Sequence, residues 1–184
     1  MLGSLRRRNH RRTVPIPERV GEVNRVFLTA DTHFGHMKVT QFRPYATVEE
    51  HDRDLIARWN AVVKPADTVW HLGDVYFREG HLALAQLNGN KKLVLGNHDT
   101  HPLDVYLRSF TRVFGAVEYR DCILTHIPVH PYQLNRFAAN IHGHMHANKV
   151  DDPRYICVSL EHTDYAPILA DRVIQPLSRR EKHG

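Results

Sequence analysis

Short apolar runs that end in an acidic, amide or imidazole side chain recur along this chain of 184 residues, and they constrain its fold more than any other feature. Runs of this length that are rich in β-branched and aromatic residues predict buried strands. Six are present, at residues 25–30, 68–72, 91–95, 121–125, 139–142 and 155–160. The chain is therefore expected to form sheets whose strands carry polar groups at one end.

Segments with helical periodicity separate several of these strands. The segment at 47–63 has apolar residues at helical spacing, and Thr47 followed by Glu50 is the pattern of an N-cap with its capping box. Shorter helices are predicted at residues 80–87 and 103–110, and a last helix at 167–177 after a strand. This order of elements predicts an α/β sandwich, in which mixed sheets have helices outside them.

Basic charge is concentrated near the N-terminus, where residues 6–12 contain five arginines and no acidic residue. Without them, basic and acidic residues are equal in number, so the net charge of +5 arises from this segment. We expect residues 1–20 to form a basic, flexible tail, residues 21–178 a single domain, and residues 179–184 a C-terminal tail. The basic tail could contact nucleic acid or another polyanion through the phosphate charge.

No apolar run approaches the roughly 18–20 residues that a membrane-spanning helix needs. The basic N-terminal segment also lacks the apolar stretch of a secretory signal. The two cysteines, Cys122 and Cys157, are too few for a disulfide framework or a thiolate metal site and indicate a reducing compartment. We therefore expect a cytoplasmic protein with no membrane partner.

The polar groups at the strand ends form a ligand set for divalent metal ions. They are Asp31 and His33 after the first run, Asp74 after the second, Asn97 and His98 after the third, His126 after the fourth, and His144 and His146 after the fifth. Because the carboxyl ends of parallel strands meet at one edge of a sheet, these side chains are expected to converge. Carboxylate, amide and imidazole ligands without thiolate suit Mn²⁺, Fe²⁺ or Zn²⁺, and eight groups fit two ions about 3.5–4 Å apart. The glycines that precede ligands, expected to adopt positive φ or to allow close backbone approach, are Gly73, Gly96 and Gly143.

These residues resemble, in identity and in order, the signature of the calcineurin-like metallophosphoesterases. The matching blocks are Asp31-x-His33, Gly73-Asp74, Gly96-Asn97-His98-Asp99, His126 and Gly143-His144-x-His146. The flanking stretches 32–36 and 126–128 are similar to those of small bacterial and phage members that have no cap domain. The resemblance implies a phosphoesterase with a metallophosphoesterase-like αββα sandwich, made of two mixed β-sheets flanked by helices.

The resemblance also implies a role for each matched residue. Asp31, His33 and His146 would bind the first metal ion, Asn97, His126 and His144 the second, and Asp74 would bridge them. Mn²⁺ is the ion expected first, with iron, zinc, nickel or cobalt as alternatives. A hydroxide between the two ions would attack phosphorus in line, while His98 would protonate the leaving oxygen or stabilise charge on the phosphoryl oxygens. Asn97 and His98 would also contact the substrate, and Asp99 or a neighbouring backbone group is expected to orient the His98 ring.

Two residues outside the signature are candidate substrate contacts. His36 lies three residues after His33 in a predicted loop, where it could face the open side of the metal site or stabilise the loop by hydrogen bonds. Arg43 could clamp a phosphate group or could be a solvated loop charge. His71 and His142 fall within predicted strands, where packing is the better interpretation.

The expected reaction is the hydrolysis of a phosphodiester, which could be a small diester, a cyclic nucleotide or a nucleic-acid end. The charge-neutral body of the domain argues against extended duplex binding. A phosphomonoesterase that uses the same site is the alternative. A non-catalytic interaction scaffold on the same fold is a third hypothesis, against which the complete ligand set argues. The sequence assigns no oligomeric state.

Overall fold

The computed structural model describes residues 24–174, which form two mixed β-sheets. The strands are β1 (Val26–Thr29), β2 (Thr68–His71), β3 (Asn90–Val94), β4 (Arg112–Phe114), β5 (Val117–Tyr119), β6 (Cys122–Leu124), β7 (Ala139–His142), β8 (Tyr155–Cys157) and β9 (Ile168–Leu169). The first sheet has the order β4-β3-β2-β1-β9, in which β9 is antiparallel and the others are parallel. The second sheet has the order β5-β6-β7-β8, in which β5 is antiparallel. The predicted tails fall outside the described residues.

Three α-helices accompany the first sheet: α1 (Val48–Val62), α2 (His81–Leu84) and α3 (Leu103–Tyr106). The N-cap prediction for α1 is confirmed, because the Thr47 side chain accepts a hydrogen bond of 3.1 Å from the Glu50 N–H. The carboxylate of Glu50 reaches one residue further back than a capping box requires and accepts from the Ala46 N–H at 3.0 Å. The other two helices are single turns, shorter than the predicted segments 80–87 and 103–110.

Successive residues of the first sheet point to opposite faces and build two separate cores. Phe27, Val69 and Leu93 pack with the helices on one side. Their neighbours in sequence, which include Leu28 and Val94, pack against inward-facing side chains of the second sheet. This arrangement confirms the predicted α/β class, with two mixed sheets flanked by helices.

The segment just before the 3₁₀-helix Pro131–Arg136 contacts the face of the second sheet that carries Asn140 and Tyr155. The Val129 N–H donates to the Asn140 side chain at 2.9 Å, and the Tyr155 hydroxyl donates to the Val129 carbonyl at 2.7 Å. These bonds satisfy polar groups that β7 and β8 present on that face. None of the helices in residues 24–174 has the length and apolar character needed to cross a membrane.

The strand predictions differ from the structure mainly at their ends. The run at 155–160 forms a strand only to Cys157 and is followed by a 3₁₀ turn at Leu160–His162. The predicted last helix begins at residue 170 and continues to residue 174, where the described chain ends. Strands β4 and β5 were not expected from the sequence, because each has only three residues and none of them is fully buried.

Candidate metal centre

The carboxyl ends of β1, β2, β3, β6 and β7 meet and bring the predicted ligands together. Backbone hydrogen bonds tie these ends to one another: Asp31 N–H donates to the Gly73 carbonyl at 2.9 Å, and Gly143 N–H donates to the His126 carbonyl at 3.0 Å. Two groups of side chains result, one of Asp31, His33 and His146 and the other of Asp74, His126 and His144. Within each group, one candidate ligand atom per residue lies within 4.8 Å of the others.

One carboxylate oxygen of Asp74 faces both groups. Its Oδ2 lies 3.8 Å from Nε2 of His33 in the first group and 3.4 Å from Nε2 of His126 in its own group. The other oxygen, Oδ1, accepts the backbone N–H of His98 at 3.0 Å. The group of Asp31, His33 and His146 (the first group) and the group of Asp74, His126 and His144 (the second group) are therefore adjacent, and Asp74 lies between them.

Five of these six residues have left-handed backbone conformations, which side chains other than glycine rarely adopt. The φ angles lie between 48° and 69° at Asp31, His33, Asp74, His144 and His146. Such conformations cost on the order of 1 kcal/mol each and persist where surrounding contacts enforce them. Here the enforcing contacts include the His33 N–H to the Asp74 carbonyl at 3.1 Å and the His144 N–H to Asp31 Oδ2 at 3.0 Å. The turns after β1, β2 and β7 are thus built to point side chains inward.

Close packing around Asp74 explains two of the glycines singled out in the sequence. Gly73 has a φ of 91°, a conformation that glycine adopts without strain. A Cβ atom on Gly96 would overlap the backbone N and the carboxylate of Asp74. Any side chain at residue 96 would therefore displace the carboxylate that the two ligand groups share.

The sequence suggested that Asp99 or a neighbouring backbone group orients the His98 ring, but the Asp99 carboxylate is engaged by the backbone around Asp74. This buried carboxylate accepts N–H groups from Asp74 at 2.8 Å, Val75 at 3.0 Å and Gly96 at 2.8 Å. These three bonds hold the turn after β2 against the turn after β3. The backbone of His98 is fixed by Asp74, and its ring lies against Phe77 with ring centroids 5.5 Å apart.

The electrostatic balance of the centre keeps the carboxylates ionised and one imidazole neutral. Burial raises the pKa of Asp74, but the hydrogen bond and charge of His126 outweigh it and lower this pKa to about 2. Burial likewise raises the pKa of Asp31, and His33, His126 and Ser159 together bring it below its ordinary value. Burial lowers the pKa of His33. Ionised carboxylates and a neutral imidazole are the protonation states that bind metal ions.

The donor set fits divalent cations. His33 is only 4% exposed, and neither of its ring nitrogens has a hydrogen-bond partner among the residues that the structure describes. Its Nε2 lies 3.8 Å from oxygens of both Asp31 and Asp74, which is too long for hydrogen bonds. Two ligands that each lie about 2.0–2.2 Å from one ion are separated by roughly 3–3.5 Å, close to these spacings. A cation would therefore satisfy the buried nitrogen that the protein leaves without a partner.

Asn97 and His98 lie beside the two groups and are both exposed. The side-chain oxygen of Asn97 is 3.0 Å from Nε2 of His126, which places it next to the second group. The His98 ring lies 6.1 Å from the His33 ring, centroid to centroid. His36 stacks on Phe77 at 4.4 Å and lies 5.5 Å from the His33 ring, so it also stands at the rim of the site. The substrate contacts of these three residues remain predictions.

Arg43 is a structural residue, and its expected role as a phosphate clamp needs correction. Its side chain is fully buried, and the guanidinium donates to the carbonyls of Asp31 at 2.6 Å and Thr32 at 3.3 Å. It also donates to the Glu161 carboxylate at 2.9 Å and lies 3.0 Å from the ring nitrogen Nε2 of His51. These contacts engage all three guanidinium nitrogens with the protein and hold the turn after β1.

Glu161 contacts a candidate ligand, and the ligand signature missed it. Its Oε1 accepts Nδ1 of His146 at 3.1 Å in addition to the Arg43 bond, and this fixes which nitrogen of His146 faces Asp31. Burial raises the pKa of Glu161, but His146 and Arg43 outweigh it and lower this pKa to about 2. The sequence did contain a signal, because Glu161 directly follows the sixth apolar run.

Replacing Glu161 by glutamine is expected to weaken metal binding at the first group alone, because the buried charge that orients His146 is lost. Losses of about 10- to 100-fold in metal affinity are typical when such supporting groups are removed. Calorimetric titration of the metal-free full chain should show one site weakened and one unchanged. Glu118→Gln, an exposed position on β5, is the matched control. Equal weakening of both sites would contradict this assignment.

His71 and His142 lie at the ends of β2 and β7, inside the protein as expected. His71 is fully buried, and its Nε2 lies 2.9 Å from the Thr32 hydroxyl. Burial lowers the pKa of His71 to about 3, so its ring is neutral. His142 is also fully buried, with Nδ1 2.8 Å from the Gly143 carbonyl. Both rings support the turns that carry the candidate ligands.

Comparison with individual known proteins places the chain in a family, although no family model matches it. It is 32% identical over 173 residues to the uncharacterized protein MJ1445 of Methanocaldococcus jannaschii, a match that covers 85% of this chain and 93% of that protein. The crystal structure of a protein of unknown function, AQ665 from Aquifex aeolicus, is 26% identical with a TM-score of 0.68 and covers 84% of this chain and 100% of that one. A novel archaeal phosphodiesterase is 22% identical with a TM-score of 0.39, over 73% of this chain and 82% of that one.

The fold and the site together define an α/β protein of two mixed sheets that carries two adjacent carboxylate–histidine groups at its strand ends. The match with MJ1445 is long and similar enough to assign the chain to a family. The chain belongs to the same family as MJ1445 of M. jannaschii.

Proposed function

We propose that this protein is a calcineurin-like metallophosphoesterase that hydrolyses phosphodiester bonds with two divalent metal ions. The observation that carries the proposal is the position of Asp74, one oxygen of which lies 3.8 Å from His33 and 3.4 Å from His126. A carboxylate between two adjacent ligand groups suits a pair of ions about 3.5–4 Å apart. The ordered signature of residues 31–146 supports the same conclusion.

Each ligand has a place in this scheme. Asp31, His33 and His146 would hold one ion, Asn97, His126 and His144 would hold the other, and Asp74 would contribute to both. When bound, such a pair of ions would supply the activation of a water molecule and the neutralisation of charge on the phosphoryl oxygens. Oxygen and imidazole donors without thiolate suit Mn²⁺, with iron, zinc, nickel or cobalt as alternatives.

His98 acts on the bound substrate and does not bind a metal ion. It is exposed, its backbone is fixed by the 3.0 Å bond to Asp74, and its ring packs on Phe77 beside the first ligand group. This position lets the imidazole donate a proton to the leaving oxygen or bind a phosphoryl oxygen. Asn97 lies on the opposite flank, beside His126, where its amide can bind another phosphoryl oxygen.

A diester is favoured over a monoester by the charges around the site. A monoester carries a second negative charge, which phosphatases usually balance with a free arginine or lysine. The cavity beside the first group is lined by Arg43, the one arginine or lysine among its described residues, and its guanidinium nitrogens are engaged by the protein. Glu161 in the same lining is paired with Arg43 and His146 and supplies no positive charge for a second phosphate oxygen.

Reconstitution with metal ions tests the proposal. Full-length protein loaded with Mn²⁺ is expected to bind about two ions per chain and to hydrolyse bis-p-nitrophenyl phosphate faster than p-nitrophenyl phosphate. Removal of the ions by chelation should abolish turnover, and added Mn²⁺ should restore it. If Mn²⁺, Fe²⁺, Zn²⁺, Ni²⁺ and Co²⁺ all fail to support turnover, the non-catalytic scaffold is the better hypothesis. Faster hydrolysis of the monoester would favour the phosphomonoesterase.

A further inference from the structure

A cavity of about 460 Å³ opens beside the first ligand group. His33 and His146 of that group line one side of it, together with His98. The lining also includes His36, Val39 and Phe42, on the segment between β1 and α1. A phosphate ester at the metal centre can therefore extend one of its ester groups toward this segment.

Phe42 is held at this cavity in an exposed position. The residue is 79% exposed, more than any other large apolar residue among those described. The backbone around it is nevertheless anchored, because Val39 is buried and the Phe42 N–H donates to the Val39 carbonyl at 3.0 Å. On the other side, buried Arg43 is bonded to the Asp31 carbonyl and to Glu161. The fold thus presents an aromatic ring to solvent at a fixed place beside the centre.

The charges of the cavity select against a second anionic group. The guanidinium nitrogens of Arg43 are committed to protein partners, which are the carbonyls of Asp31 and Thr32 and the Glu161 carboxylate. The remaining wall includes Val39, the aromatic rings of Phe42 and His36, and small or neutral side chains such as Ala147. A flat, uncharged group can stack on the exposed Phe42 ring, whereas a further phosphate would find no free arginine or lysine among the described residues of the lining.

We propose that Phe42 forms a subsite for an aromatic ester group, either a nucleobase or an aryl ring, attached to the phosphate at the metal centre. The proposal rests on the proposed function, since the metal centre must hold the phosphate. It narrows the substrate class to diesters with one aromatic substituent. Phe42 determines specificity within this assignment and has no part in bond cleavage.

Binding measurements on the Mn²⁺-loaded full chain test the subsite without the need for turnover. Two diester probes are titrated calorimetrically, thymidine 5′-methyl phosphate and dimethyl phosphate, which share the phosphodiester group and differ in the base. Stacking on an aromatic side chain is worth roughly 1–3 kcal/mol per base, so the wild type should prefer thymidine 5′-methyl phosphate by about fivefold or more. Phe42→Ala should remove most of this preference and leave the affinity for dimethyl phosphate within about twofold.

Two variants serve as controls. Phe42→Tyr retains the ring and should retain the preference. Tyr132→Ala removes a ring that is 73% exposed in the 3₁₀-helix Pro131–Arg136, which is outside the described lining of this cavity, and should leave both affinities unchanged. Equal affinity of the wild type for the two probes, failure to bind either, or an unchanged preference in Phe42→Ala would each overturn the subsite.

Turnover of bis-p-nitrophenyl phosphate in the same preparations separates the two proposals. A base preference that depends on Phe42, in a protein that hydrolyses no ester with any of the metals, would support the subsite and contradict the phosphoesterase. Metal-dependent turnover without the base preference would support the phosphoesterase and overturn the subsite.

Discussion

Replacing Asp74 by asparagine is expected to abolish phosphodiester turnover and to weaken metal binding at both ligand groups. Its Oδ2 faces His33 at 3.8 Å and His126 at 3.4 Å, so the loss of one negative charge affects ligands of both ions. Metal ions contribute several kcal/mol of charge stabilisation to such reactions, so kcat should fall by about a thousandfold or more. The measurements are the metal content after dialysis and kcat for bis-p-nitrophenyl phosphate.

Asp104→Asn is the matched control, since that carboxylate lies in α3 and is 75% exposed. Its metal content and kcat should equal those of the wild type. The number of weakened metal sites also distinguishes Asp74 from Glu161. Asp74→Asn is expected to weaken metal binding at both groups, whereas Glu161→Gln is expected to weaken it at the first group only. An Asp74→Asn protein that keeps two ions and full activity would remove the basis for the dinuclear proposal.

The strands that carry the site could be predicted because they are buried on both faces. The runs that became β1, β2 and β3 each contain two consecutive buried apolar residues, Phe27-Leu28, Val69-Trp70 and Leu93-Val94, since helices cover one face and the second sheet covers the other. Strands β4 and β5 gave no comparable signal. Each has three partly exposed residues and exists through pairing with β3 or β6, which is a property of the assembled sheets.

The sequence predicted which residues are candidate ligands, but it did not predict their backbone conformations. Aspartate and histidine at strand ends indicate a metal site, but no local pattern indicates that Asp31, Asp74 and His146 have positive φ angles. Those conformations depend on bonds between different strand ends. Tertiary contacts, in other words, enforce a backbone that local preferences oppose.

The supporting residues were misjudged for a related reason. Arg43 and Glu161 are separated by 118 positions in the chain, so their ion pair has no local signature. A loop arginine taken alone is consistent with a phosphate ligand, and only its buried partners show that it holds the loop. Asp99 is a similar case, because its three backbone partners lie on two turns that the fold brings together.

Replacing His98 by alanine is expected to leave both metal groups intact and to slow turnover according to the leaving group. Its ring is exposed beside the first group, and the backbone N–H that bonds to Asp74 is retained in the variant. If the imidazole protonates the leaving oxygen, an alkoxide needs it more than p-nitrophenolate does. We therefore expect kcat for dithymidine phosphate to fall by about 10²–10⁴-fold and kcat for bis-p-nitrophenyl phosphate to fall much less.

His81→Ala is the control for this comparison, because His81 is an exposed histidine on α2 that is outside the described lining of the cavity. It should hydrolyse both substrates at the wild-type rate, and the metal content of His98→Ala should remain at two ions per chain. An equal loss for both substrates would refute proton donation by His98 and favour its binding of a phosphoryl oxygen, since that interaction stabilises the transition state whatever group leaves. Loss of metal from His98→Ala would instead show that this imidazole is a metal ligand, and His98 would then belong to one of the two ligand groups.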